Sequence, residues 1–102
     1  MKFGLTEKSI DLIHSILIKY PEIEEVIIYG SRAMGNYREG SDIDITLLGE
    51  NLNQSIKYSL ANDLDDSISP YLFDISIFNN LNSPDLEEHI NRVGQIFYKK
   101  DK

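Results

Sequence analysis

The sequence predicts an α/β (α+β) fold, a small mixed β-sheet with helices packed mainly on one face. Three observations carry that expectation. Segments with helical period alternate with short β-branched runs in the order α-β-(short α)-β-α-β-α-β. Two of the runs split their residues into an apolar side and a carboxylate side. A chain of 102 residues has room for one such core, so residues 1–102 read as one domain without a linker or repeat.

The elements follow in order. Thr6 is a fitting N-cap and Glu7 suits the positive end of a helix. Ile10, Ile13, Leu17 and Tyr20 keep helical spacing, Leu12 and Ile16 widen the stripe, and Pro21 stops it. Val26-Ile27-Ile28-Tyr29 is a buried strand, broken at Gly30-Ser31. Arg32 to Gly35 suits a brief helical turn, and residues 36–40 read as loop. Asp42 to Leu48 alternates as a second strand. Asn53 to about Asp66 has Ile56, Leu60 and Leu64 four apart, the mark of a second long helix. Ser69-Pro70 breaks the chain, Tyr71 to Phe78 is the third strand, and Asn79-Asn80 turns it. Ser83-Pro84 opens a helix that runs to about Val93 and ends at Gly94. Gln95 to Tyr98 is the last strand, followed by a frayed tail with Lys99, Lys100 and Lys102.

Composition excludes several function classes. Ten Lys plus Arg against seventeen Asp plus Glu give a net charge of −7, the wrong sign for a protein that grips nucleic acid directly. The absence of cysteine removes disulfides, thiolate catalysis and Cys-ligated zinc, and suits a reducing cytoplasm. No apolar stretch approaches the length of a membrane span, and the first residues lack a signal-peptide core. The small size is compatible with a homo- or hetero-oligomer.

Asp42 and Asp44 lie two apart in a strand, so both carboxylates share a face with Thr46. In the third strand Asp74 and Ser76 lie opposite Phe73, Ile75 and Ile77. If the two strands are neighbours, three carboxylates converge. Two such charges about 4 Å apart repel by roughly 4 kcal/mol at an effective dielectric near 20. Mg²⁺ removes that penalty and keeps coordination positions for phosphate oxygens, and two such ions suit an in-line displacement at phosphorus. Gly30-Ser31, directly after a buried strand, supplies the complementary half: backbone free to approach an anion, with a hydroxyl donor. Arg32 reads equally well as a further phosphate contact or as a surface residue.

Gly30-Ser31-Arg32-Ala33-Met34-Gly35, followed by Ser41-Asp42-Ile43-Asp44-Ile45, resembles the signature of the minimal nucleotidyltransferases of the DNA-polymerase-β-like superfamily. Ten residues separate Ser31 from Asp42, and Asp74 in Leu72-Phe73-Asp74-Ile75 fits the third carboxylate of that superfamily. Met34 and Ile45 stand where its commonest members carry arginine and leucine. The resemblance implies a polymerase-β-like fold, Mg²⁺ as cofactor, and transfer of a nucleoside monophosphate, AMP from ATP, to a hydroxyl acceptor. It further implies a HEPN-domain partner, with this chain as the antitoxin that adds AMP to a toxin tyrosine. On that reading Asp42, Asp44 and Asp74 hold metal, and Gly30, Ser31 and Arg32 hold the triphosphate. The alternatives are a non-catalytic antitoxin that occludes its partner and an aminoglycoside-type small-molecule transferase.

The remaining polar residues read as ordinary. Asp63, Asp65 and Asp66 fit a solvated helix face, His14 and His89 fit surface or packing positions, and Ser41 orients the strand entry.

Overall fold

The computed structural model describes residues 2–68 and 70–101. Met1, Ser69 and Lys102 lie outside the described residues, and with them the serine of the expected breaker and the last lysine of the tail.

Helix α1 spans Glu7–Leu17, and its N-cap Thr6 accepts the Ser9 amide at 3.1 Å. It ends before the expected Tyr20 because the last turn tightens: Lys19 N donates to Ile16 O and Tyr20 N to Leu17 O. Strand β1 is Glu25–Tyr29, the short helix α2 is Gly30–Met34, and strand β2 is Ile43–Leu48. Helix α3, Gln54–Ser67, is capped by the Asn53 side chain, which accepts from Ile56 N. Strand β3 is Phe73–Ile77, followed by a 3-10 turn at Phe78–Asn80 where the asparagine pair was expected to turn the chain. Helix α4, Pro84–Val93, is capped by Ser83 with proline in the first turn, and strand β4 is Gln95–Lys99.

The four strands form one mixed sheet in the order β3-β2-β1-β4. Strand β1 lies between antiparallel neighbours, while β2 and β3 run parallel, joined by the crossover through α3. Val26, Ile28, Ile43, Ile45, Leu47 and Phe97 project from one face and meet Ile13, Ile16, Leu17, Leu60 and Leu64 from α1 and α3. Helix α4 lies on the other face at the β1 side, where His89 packs edge-on to Tyr29 and Gly94 closely approaches Ile27. Over β2 and β3 that face is exposed at Asp74, while Thr46 is fully buried.

Three polar expectations are corrected. The tail is not frayed at Lys99 and Lys100: Lys99 ends β4, Lys100 N donates to Glu24 O, and Lys100 Nζ to Pro21 O. Asp63 is not on a solvated face, since its carboxylate accepts the Tyr20 hydroxyl and ties α3 to the end of α1. Burial first, and then that bond to Asp63, push the Tyr20 phenol up to about 12. Arg32 is not a surface residue, being 3% exposed. His14 is a satisfied packing residue, with Nε2 2.7 Å from Phe97 O.

Leu64 is fully buried where α3 meets the sheet. Leu64→Ala is expected to cost about 2–5 kcal/mol, read as a lower urea midpoint at unchanged m-value.

Candidate functional site

The core dictates where the carboxylates go. Ile43, Ile45 and Leu47 are fully buried on the helix-covered face, so Asp44 and Thr46 must project from the opposite one. A one-residue slip of β2 would drive the isoleucines into water and the aspartate into the core. The parallel register then pairs Asp44 with Asp74 and Thr46 with Ser76. On its other side Asp44 pairs with Tyr29 of β1. A row Tyr29, Asp44, Asp74 thus crosses three adjacent strands, which in any sheet stand about 4.8 Å apart. Asp42 lies one residue before β2 and is exposed.

The electrostatics follow from this row. Burial, then the charges of Asp74 and Asp42, raise the Asp44 carboxyl above its ordinary range, while His89 acts in the opposite sense. The Tyr29 phenol is also raised, by burial first; the Ser76 hydroxyl lowers it, and Asp74 and Asp44 add to the rise. Ser76 Oγ itself is buried close to Tyr29 and has no hydrogen-bond partner by strict geometry. Both shifts have one meaning: this face resists further negative charge and would gain from a cation.

Gly30 joins the turn to the carboxylates. Its φ is +73°, a left-handed conformation, and a Cβ on it would collide with Asp44 Oδ2. Any side chain here would displace the carboxylate, so only glycine lets the two coexist. Ser31 follows at the start of α2. The backbone that could receive phosphate therefore runs directly beside the central carboxylate.

The donor set fits a hard divalent cation. Among the described residues no three His, Cys, Asp or Glu side chains gather tightly enough to form a ready-made ligand cage. Mg²⁺ seldom needs one, because it is ordinarily held by one or two carboxylates together with substrate phosphates and water. The register pair Asp44 and Asp74, with Asp42 two residues upstream, offers that partial set of oxygens.

The structure gives Arg32 a task other than phosphate contact. Its Nε and Nη2 donate to Ser41 O at 3.0 and 2.8 Å, and Nη1 donates to Phe3 O at 2.9 Å. The guanidinium is engaged with backbone carbonyls; of the two positions the sequence left open for it, the surface one is overturned.

Sequence reasoning missed His89 and Tyr29. Leu86, Ile90 and Val93 form the inward stripe of α4, and His89, three residues after Leu86, lies on its edge. That spacing was the available signal. The ring stands 6.1 Å from Tyr29, centroid to centroid, and its charge is felt at Asp44.

A mixed sheet carrying a glycine-hinged turn beside paired carboxylates defines a nucleotidyltransferase fold, and the comparisons agree. Residues 11–102 match the family described as Polymerase beta, Nucleotidyltransferase, and the chain belongs to that family. No curated protein matches it. Among solved structures, a toxin-antitoxin complex with AMP-PNP contains a chain 22% identical, with a TM-score of 0.73 over 94% of this chain and 75% of that one. A complex of the tri-AMPylated Shewanella oneidensis HEPN toxin with its MNT antitoxin aligns at 20% identity and a TM-score of 0.62, covering 89% of this chain and 73% of that one. A putative nucleotidyltransferase from Sulfolobus solfataricus aligns at 21% identity and a TM-score of 0.55, covering 97% and 94%.

An acid whose pKa is raised by folding binds its proton more tightly in the folded state. Its penalty is absent below the ordinary carboxylate range, grows as pH rises through the raised value, and is complete above it. Metal-free Asp44→Asn is therefore expected to melt above the wild type at pH 7, with the gap closing near pH 3, as followed by circular dichroism. A melting temperature below that of the wild type at pH 7 contradicts the assignment.

Proposed function

We propose that this chain transfers AMP from ATP to a hydroxyl on a HEPN-domain partner, a tyrosine on a toxin, and so acts as its antitoxin. The single observation that supports this most strongly is the Asp44–Asp74 register pair, set against a turn where only Gly30 fits. Family membership supports the reaction class. The likeness to antitoxins bound to HEPN toxins, one of them AMPylated, supports the acceptor.

On this reading Gly30 and Ser31 bind the β- and γ-phosphates through backbone N–H groups and the serine hydroxyl. Mg²⁺ ions held by Asp42, Asp44 and Asp74 would neutralise the triphosphate and lower the proton affinity of the acceptor hydroxyl. The acceptor oxygen forms a bond to the α-phosphorus as the bond to the β-phosphate oxygen breaks, and pyrophosphate leaves. Asp74, exposed on its strand, stands where it can take the acceptor proton. Tyr29, almost fully buried beside Asp44 in the same row, shields the β1 side of the carboxylates from water. The domain extends over residues 1–102 in this proposal, and the setting is cytoplasmic.

The experiment is intact-mass measurement of a HEPN-domain partner incubated with this chain, Mg²⁺ and ATP. The partner is expected to gain one or more AMP units, and Asp44→Asn to slow the gain by at least about 100-fold, the scale of losing one electrostatic element of a transfer site. Tight binding without any mass gain would replace catalysis with occlusion as the mode of neutralisation.

A further inference from the structure

Arg32 is a charged side chain that is 3% exposed, and among the described residues its guanidinium pairs with no carboxylate. Burying an unpaired charge costs several kcal/mol unless other groups replace its hydration. Here backbone carbonyls and aromatic faces replace it. Ser41 O takes two bonds from the planar fork and Phe3 O a third. The rings of Tyr37 and Tyr71 each lie 5.4 Å from the guanidinium carbon.

These partners come from three separate segments. Phe3 belongs to a tight N-terminal turn closed by paired bonds between Lys2 and Leu5. Its φ of +59° is rare for a bulky residue, and Gly4 is pressed against Tyr37 and Arg32 Nη1. Ser41 ends a loop whose glycines, Gly35 and Gly40, both take a φ of +84°. That loop is also closed on itself, since Arg38 N donates to Ser41 Oγ and Ser41 N to Arg38 O. Tyr71 leads into β3, three residues before Asp74.

Ser41 immediately precedes Asp42, and the carbonyl that Arg32 grips belongs to the peptide joining the two. Asp42 is exposed and lies outside β2, so no ladder bond of its own strand fixes it. Ile43 N, next along, donates to Leu72 O and begins the pairing with β3. The peptide plane at 41–42 is thus held by the guanidinium on one side and by the strand on the other.

The geometry points to Arg32 as a positioning residue, which with Tyr37, Tyr71 and the N-terminal turn clasps the loop that delivers Asp42 to a divalent cation. This inference rests on the nucleotidyltransferase reading of the site. It assigns Arg32 no contact with phosphate or metal; its action on the ion runs through Ser41 and Asp42. Lysine cannot substitute, because one ammonium lacks the planar fork that reaches Ser41 O twice and Phe3 O at once.

The test is titration of the full chain with Mn²⁺ alone, with free Mn²⁺ counted by electron paramagnetic resonance, which gives both the number of sites and their affinity. Wild type is expected to bind Mn²⁺ and Asp44→Asn to lose it. Arg32→Lys is expected to keep the wild-type number of sites with affinity about 10-fold or more weaker, the range found for groups one step behind a metal ligand. Unchanged affinity in Arg32→Lys overturns the clasp. So does unchanged affinity at fewer sites, which would mean that Arg32 only keeps the chain folded. If Arg32→Lys does not fold, Tyr37→Leu decides, since that ring lies at the surface: weaker Mn²⁺ affinity is expected, and wild-type affinity overturns the proposal. A wild-type chain that takes up no Mn²⁺ also overturns it, while AMP transfer to the partner judges the underlying reading separately.

Discussion

The structure turns on one repulsive contact, the pairing of Asp44 with Asp74 across two parallel strands. Neither strand can escape it by shifting register. Ile43, Ile45 and Leu47 are locked into the core on the opposite face, and a slip of one residue would invert every side chain. The sheet therefore holds two carboxylates side by side with a third, Asp42, just upstream. Hydrophobic burial on one face supports like-charge crowding on the other, and burial first, then the charges of Asp74 and Asp42, raise the Asp44 carboxyl. A fold selected for stability alone has no use for this arrangement, which is what the proposed cation and polyphosphate site would use.

The surroundings are organised to present that crowding. Strand β1 ends in Tyr29, which borders Asp44, and the chain then turns at the one residue type that does not strike the Asp44 carboxylate. Helix α4 closes the β1 side with His89, whose charge partly offsets the acidic cluster. On the β3 side Asp74 itself is exposed. Beneath the loop, Arg32 links the N-terminal turn to the approaches of both acidic strands, which extends the site well past the motif residues.

Much of this was legible in the sequence, for physical reasons. Thr6 and Ser83 announce helix starts because their side chains satisfy free amides, and both do so here, as does Asn53, which the helical spacing had placed inside its helix. Alternation in β2 and β3 assigns faces directly. Strand order and the choice of parallel or antiparallel pairing were not legible, because they depend on long-range packing that no local pattern encodes. Arg32 was misjudged because charged residues are rarely buried without a carboxylate, and nothing local reveals carbonyls supplied by Phe3 and Ser41. His89 was passed over because a lone histidine forms no metal-spaced pair, although its place on the edge of the α4 stripe turned it towards Tyr29. The Lys99-Lys100 segment, expected to fray, is held by Glu24 and Pro21, partners distant in sequence.

The central claim is that Asp44 and Asp74 interact as adjacent like charges awaiting a cation. It is tested most directly by a carboxyl-carbon NMR titration of Asp44 in metal-free protein, in the wild type and in Asp74→Asn. The account predicts that Asp44 titrates above the ordinary carboxylate range, moves down when Asp74 is neutralised, and moves down again in the wild type when Mg²⁺ is added. An Asp44 that titrates normally and responds to neither change would contradict it.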